Sequence, residues 1–211
     1  VRAAVPPARI PGDFQVNILI LGAKGQIARA ATDLFLANPD TRLTLYLRKA
    51  ERLKALARSP QVRLVDGDVV DRATLAEAMA GQDVVYANLA GDLAEQARTI
   101  VDVLQDGGAK RLIFVTSMGI YDEVPGESYG SILDPYRNAA RIIEASDLDY
   151  TLLRPAWLND RDEIAYGTTE KGEPFVNAGA SVSRKSVADL IVRTALTPGL
   201  HSRASLGVHK K

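Results

Sequence analysis

The residues with the clearest chemistry stand at Gly22-Ala23-Lys24-Gly25-Gln26-Ile27-Ala28, directly after the apolar run Val16–Leu21. Their spacing is G-x-x-G-x-x-A. In a strand-to-helix turn, Gly22 allows a tight exit from the strand, and Gly25 lets the backbone approach a pyrophosphate at the helix N-terminus. The third position needs only a small side chain where helix and sheet pack, and Ala28 supplies it. A glycine-rich turn alone is weak evidence, but a strand before it and a helix after it point to a dinucleotide. The second signal is Tyr46-Leu47-Arg48-Lys49, at the end of the next apolar run, with Arg52 beyond. An acid there would hold the ribose hydroxyls of NAD(H) and repel a 2′-phosphate, whereas a guanidinium pairs with that phosphate in a fork. Arg48 therefore points to NADP(H) in preference to NAD(H), and Lys24 adds charge from inside the turn. The competing explanation for Arg48 and Lys49 is a solvated helix start.

Other candidates carry two readings each. Asp66-Gly67-Asp68-Val69 and Asn88-Leu89-Ala90-Gly91 follow strands, in reach of an adenine and a nicotinamide ribose, while Asp68 also suits helix capping. Ser117 ends a central strand. Tyr121 and Tyr129 either stack on a flat substrate or cover the site, and Trp157 is either a pocket wall or a lid on its own core. Asp160, Arg161, Asp162 and Glu163 read as a solvated turn, and His201 and His209 make no convincing base.

The elements that would position these residues alternate. Strands are expected at Val16–Leu21, Leu43–Leu47, Val62–Val65, Asp83–Leu89, Arg111–Thr116, Tyr150–Leu153 and, more weakly, Ala204–Val208. Helical patterns lie between them at Gly25–Ala37, Lys49–Ala57, Arg72–Ala80, Leu93–Asp106, Pro135–Ala145 and Arg184–Leu196. Runs such as NILIL and RLIFV lack polar alternation, as strands covered on both faces do. The rhythm predicts an α/β fold: one Rossmann-type domain over residues 15–211, with a doubly wound parallel sheet in three layers. Residues 1–14, rich in proline, read as an irregular tail. The rhythm breaks at 118–135 and 156–183, both after strand ends where open α/β sheets place ligands, so these are the expected substrate-site loops.

Composition narrows the functional classes. Lys+Arg and Asp+Glu both number 26, so no net charge draws the chain to nucleic acid or an anionic membrane. The absence of Cys excludes disulfides and thiol catalysis, and two His residues argue against a metal site. No apolar run approaches a membrane span, no signal peptide opens the chain, and the cytoplasm is the expected compartment.

The blocks GAKGQIA, LYLRKAERL, VDGDVVDRATLAEAMAGQDVVYANLAG, RLIFVTSMGIY, DLDYTLLRPAWL and SRKSVADLIV span nearly the whole chain after the tail. Through them it resembles an atypical short-chain dehydrogenase/reductase of the NAD(P)H-binding, NmrA-like group. Within that group it is similar to the flavin reductase/biliverdin reductase B type. The resemblance implies that Gly22, Gly25, Gln26, Ile27, Arg48, Asp68 and Val69 bind the cofactor. It further implies Leu89 and Ala90 beside the ribose, Ser117 near the nicotinamide, and Pro155 and Ala156 bordering its pocket. One departure matters. Most members of the wider superfamily use Tyr-x-x-x-Lys, in which the Lys lowers the Tyr pKa so that the phenol can shuttle a proton. Tyr136 opens such a helix, but Ala140 stands at the lysine position, flanked by Arg137 and Arg141. The flavin reductase type also lacks the pair.

The expected activity is NADPH-dependent reduction of a small planar acceptor, of flavin or quinone type, by direct hydride transfer. Ser117 and Tyr136 are the catalytic candidates, and Tyr121 and Trp157 the expected substrate-pocket residues. Two alternatives stand beside it: a non-catalytic NADP(H) sensor of the NmrA-like kind, and a sugar-nucleotide epimerase or dehydratase, for which the chain looks short. The expected partner is a small-molecule acceptor, with no nucleic acid and no membrane, in a monomer or small homo-oligomer.

Overall fold

The computed structural model describes residues 15–107 and 111–211, so the expected tail lies outside the described residues. Strand β1, Val16–Leu21, shows why the sheet needs cover on both sides. Ile18 and Ile20 enter one apolar core, and Leu19 and Leu21 enter the other, because successive strand side chains point to opposite faces. After β1 come α1 (Gln26–Leu36), β2 (Thr41–Leu47), β3 (Val62–Asp66), α2 (Arg72–Met79), β4 (Val84–Ala87) and α3 (Leu93–Gln105). Then follow β5 (Arg111–Val115), α4 (Asp134–Glu144), β6 (Asp149–Pro155), β7 (Leu158–Asn159), β8 (Tyr166–Glu170), β9 (Val182–Ser183), α5 (Arg184–Leu196) and β10 (Ala204–Lys210).

The main sheet has the order β3-β2-β1-β4-β5-β6-β10-β8. Seven of its strands run parallel, and the order reverses between β1 and β4, where such sheets open a crevice at the carboxyl ends of the strands. Ile27 and Phe35 of α1 and Val187 and Ile191 of α5 cover one face. Leu75 of α2, Ile100 of α3 and Ile143 of α4 cover the other. The doubly wound, three-layered domain expected from the sequence is therefore present. No helix among the described residues is long and apolar enough to cross a membrane.

Two local expectations change. The segment predicted as a helix over Lys49–Ala57 forms two short 3₁₀ turns, Ala50–Leu53 and Leu56–Arg58. Lys49 adopts a left-handed φ of 60°, and the Asp66 carboxylate accepts from the Lys49 and Ala50 backbone N–H groups, which fixes a corner instead of a helix start. The sheet is also not wholly parallel, because β8 pairs antiparallel with β10 at one edge. The loop 156–183 thus holds β7, β8 and β9, with β7 and β9 forming a separate two-stranded ribbon.

The segment after β5 is tied down by a buried ion pair. Arg154 on β6 has no exposed surface, and Glu123, its partner, has almost none. Arg154 also donates to Ser205 Oγ and to the carbonyls of Ser205 and Thr169, while Glu123 accepts from the backbone N–H groups of Gly119 and Tyr121. Glu123→Ala should lower unfolding stability by about 3–5 kcal/mol, because it leaves the Arg154 charge buried without its carboxylate. Urea denaturation checks this, and a loss below about 1 kcal/mol would mean that the pair is solvated.

Candidate functional site

The turn after β1 is built for close backbone approach. Gly22 has φ +74°, and a Cβ there would stand 2.3 Å from the Asn88 carbonyl oxygen. Gly25 has φ −58° and ψ 150°, which any residue can adopt, yet a Cβ would stand 1.9 Å from Asn88 Nδ2. The end of β4 therefore packs directly on the turn. The backbone N–H of Gly25 donates to the Gly22 carbonyl at 2.9 Å, closing the turn. No side chain caps α1 and no acid stands in its first turn, so no side-chain cap takes up its leading N–H groups.

On one side of the turn lies a cleft of about 550 Å³. Gly22, Lys24, Arg48, Asp68, Val69, Leu89 and Ala90, all predicted cofactor residues, line it, and so do Lys49 and Arg52. Four cationic side chains thus face one acid. Asp68 lies 3.6 Å from Arg48, but both are largely exposed, so the pair is weak and exchangeable. Asp68 is not a helix cap. That task falls to Asp71, whose side chain accepts from the Thr74 N–H. The floor is set by Tyr46, whose hydroxyl donates to the Asp68 carbonyl at 2.8 Å and fits over Gly67, where a Cβ would lie 2.3 Å from the phenol oxygen. Burial, then the charges of Asp71, Asp68 and Asp66, push the Tyr46 pKa up to about 12, which keeps it a neutral donor.

On the other side lies a second cleft of about 430 Å³. Ile27, Leu89, Ser117, Tyr136, Pro155, Ala156 and Trp157, all singled out in the sequence, share its walls. Asn88 and Leu89 border both clefts, so the two form one continuous crevice across the switch point. Gly25 and Gln26 line neither cleft and instead form the turn and the first residue of α1 between them. Ser117 donates its hydroxyl to the Met118 carbonyl at 3.1 Å. Trp157 is 60% exposed, so it stands open at the mouth and is not packed on its own core.

Tyr136 has no cation in the helical position that a lysine would fill. Ala140 is buried in the core. Arg137 is spent on the carbonyls of Gly119, Ile120 and Gly130 and on Asp122 and Asp134, and Arg141 reaches Asn138. Neither lines the cleft.

Tyr121, expected in the substrate pocket, stands outside both clefts. Its hydroxyl donates to Glu144 at 2.7 Å and lies 3.1 Å from Ser205 Oγ, with Lys171 over its ring. The reason is Glu123, which seizes the Tyr121 backbone and turns the side chain toward β10. Tyr129 covers the Gly119 turn and packs against both cores. The acids at 160–163 are not merely solvated: Asp160, Asp162 and Glu163 pair with Arg184, Lys185 and Lys210. Sequence reasoning named Asn88 only as part of a strand-end block near the ribose, without assigning it to the site, and missed Arg184 as a cleft residue. Asn88 adjoins the assigned Leu89, so its place at a strand end was a usable signal. For Arg184 none existed, since it reaches the cleft from a helix that starts 27 positions after Trp157.

Comparison with known proteins gives a consistent pattern. Residues 22–198 match a protein family described as NAD(P)H-binding. A Rossmann-fold NAD(P)-binding family protein from Shigella flexneri is 42% identical, with a TM-score of 0.80 over 93% of this chain and 94% of that one. A short-chain dehydrogenase/reductase from Veillonella parvula, solved in complex with NADP, is 28% identical with a TM-score of 0.83, covering 92% and 94%. A Bacillus subtilis protein described as an uncharacterised sugar epimerase, YhfK, is 26% identical over 206 residues, 90% of this chain and 92% of that protein.

Gly25→Val should abolish dinucleotide binding while the protein stays folded, because the backbone angles suit valine but the side chain must drive Asn88 off the turn. A fluorescence titration with NADPH, beside a circular dichroism spectrum, tests this. Unchanged affinity would remove the turn from the site.

Proposed function

Because this chain belongs to the NAD(P)H-binding family, we propose that it is an NADPH-dependent reductase of a small planar acceptor, of flavin or quinone type, within the NmrA-like group of atypical short-chain dehydrogenases/reductases. The carrying observation is the two-part crevice: a basic cleft and a second one walled by Ser117, Tyr136, Pro155 and Trp157, joined at Asn88 and Leu89 across an uncapped helix start. Lys24, Arg48, Lys49 and Arg52 would hold a 2′-phosphate, with Asp68 and Val69 beside the adenosine. The α1 N-terminus would take the pyrophosphate, with Gly22, Gly25, Gln26 and Ile27 shaping its approach. Leu89 and Ala90 would border the ribose, and Ser117, Pro155 and Ala156 the nicotinamide. The Veillonella relative, solved with NADP, supports that choice of cofactor.

The bound cofactor supplies a hydride. The chain's own residues orient the acceptor against it, with Trp157 as an aromatic wall and Ser117 as a hydroxyl at the cleft floor. Tyr136 faces the same space but lacks a lysine partner, so proton delivery falls to solvent, which a flavin or quinone tolerates.

Two observations favour other readings. The missing lysine suits a non-catalytic NADP(H) sensor, which would bind the dinucleotide and oxidise NADPH no faster with any acceptor. YhfK is named a sugar epimerase and matches at comparable length, so length does not exclude that chemistry. Ala140 weighs against it, because it removes the usual partner of the phenol.

NADPH should raise the melting temperature more than NADH at equal concentration, through binding to the folded state alone, and Arg48→Glu should erase the difference. Equal shifts in the unaltered protein would overturn the NADP preference. In single-turnover reduction of a flavin, Tyr136→Phe should slow hydride transfer less than about tenfold, against the ~10²–10⁴ that general acid–base catalysis contributes. Ser117→Ala should cost as much or more. A thousandfold loss in Tyr136→Phe would make the phenol the proton donor.

A further inference from the structure

The walls of the acceptor-side cleft carry one charged side chain among the described residues, and it is Arg184. No carboxylate lines the cleft with it. Arg184 is the first residue of α5, and the Ser183 side chain caps that helix by accepting from the Ser186 N–H. The ribbon of β7 and β9 sets Leu158 beside Val182, and the Val182 N–H donates to the Trp157 carbonyl at 2.8 Å. Trp157 and Arg184 are therefore carried on one small rigid unit at the cleft.

The guanidinium of Arg184 is incompletely satisfied. Its side chain is 20% exposed. One terminal nitrogen donates to Asp160 Oδ1 at 2.8 Å, while Nε is buried with no partner. Buried donors of this kind call for an acceptor, and a charged one most of all. Asp160 is 80% exposed, so its grip is that of a surface ion pair and is open to competition. A phosphate or carboxylate entering the cleft can take the two terminal nitrogens together in a fork, whereas Asp160 holds only one.

We infer that Arg184 anchors an anionic group carried by the acceptor, so that the cleft selects anionic planar acceptors over neutral ones with the same ring. This deepens the reductase reading and rests on its placing of the acceptor beside Trp157. Asp160 acts as the resident stand-in, released when the substrate anion arrives. Ile27, from the first turn of α1, lines the same cleft, so the rival target for Arg184 is the cofactor's own pyrophosphate.

Two flavins that differ by a single phosphate test the inference. FMN and riboflavin are titrated into the full chain saturated with NADP⁺, with quenching of flavin fluorescence as the readout. The unaltered protein should bind FMN about tenfold or more tighter than riboflavin, the scale of one charge-assisted hydrogen-bonded pair. Arg184→Met should remove that preference by weakening FMN alone, and Arg184→Lys should restore part of it. Asp160→Asn should tighten FMN several-fold and leave riboflavin unchanged; because it alters an exposed residue, it decides the matter even where Arg184→Met fails to fold.

Equal affinities for the two flavins in the unaltered protein would overturn the inference. So would equal weakening of both flavins by Arg184→Met, weakening of NADP⁺ itself, or an unchanged FMN affinity in Asp160→Asn. Turnover is read separately. An Arg184-dependent FMN preference without NADPH oxidation sinks the reductase reading and leaves the anchor standing. Reduction of both flavins at equal affinity does the reverse.

Discussion

The crevice depends on the ion pair between Arg154 and Glu123, because it ties the segment after β5 to β6, the two strands whose ends line the second cleft. Ser117 lies just past β5 and Pro155 closes β6. Between them the Met118 N–H reaches the Pro155 carbonyl, and the Ala156 N–H reaches the Val208 carbonyl. The second bond ties β6 to β10, and the first needs the chain after Ser117 to lie back over β6. Glu123 achieves this by accepting from two backbone N–H groups and from a guanidinium in the core. A buried pair adds little net stability, since desolvation offsets attraction, but it disfavours every arrangement that leaves either charge alone. Its effect is on the path of the chain after β5.

A chain with zero formal charge still presents a polarised crevice. Lys24, Arg48, Lys49 and Arg52 cluster at one end against Asp68, and Arg184, paired only with the exposed Asp160, stands at the other. Low-dielectric walls between them concentrate these local fields, so the overall balance says little about the ligand that each end attracts. The corner at Lys49 shows how the arrangement is held. Asp66 accepts two backbone N–H groups there, which turns the basic stretch toward the crevice and ends any prospect of a helix.

Legibility in the sequence followed the range of the interactions. The β1 turn, the strand ends and most helices were readable, because short-range periodicity and glycine spacing specify them. Arg48, Ser117, Pro155 and Trp157 came to the crevice as strand-end positions require. Tyr121 did not, since its direction is set by a carboxylate two residues on whose own partner lies on another strand. Lys49–Ala57 was misread for a similar reason: apolar spacing suggested a helix, and a distant Asp66 decided otherwise. Arg184 was invisible as a cleft residue because nothing local relates α5 to β6. The space above Gly25 was read as room for a ligand's phosphates, and Asn88 shares it.

Strand β10 lies between β6 and β8, so it completes two ladders at once, one parallel and one antiparallel. This imposes an order on synthesis. While a ribosome is still extending the chain through residue 203, β6 has an open side, β8 has no neighbour, and Arg154 lacks Ser205. The earlier strands, β1 to β5, can associate as they emerge, whereas the β6 and β8 side of the sheet must wait for residues 204–210. Nascent chains would therefore acquire the half of the crevice with the glycine turn well before the half with Trp157 and Arg184.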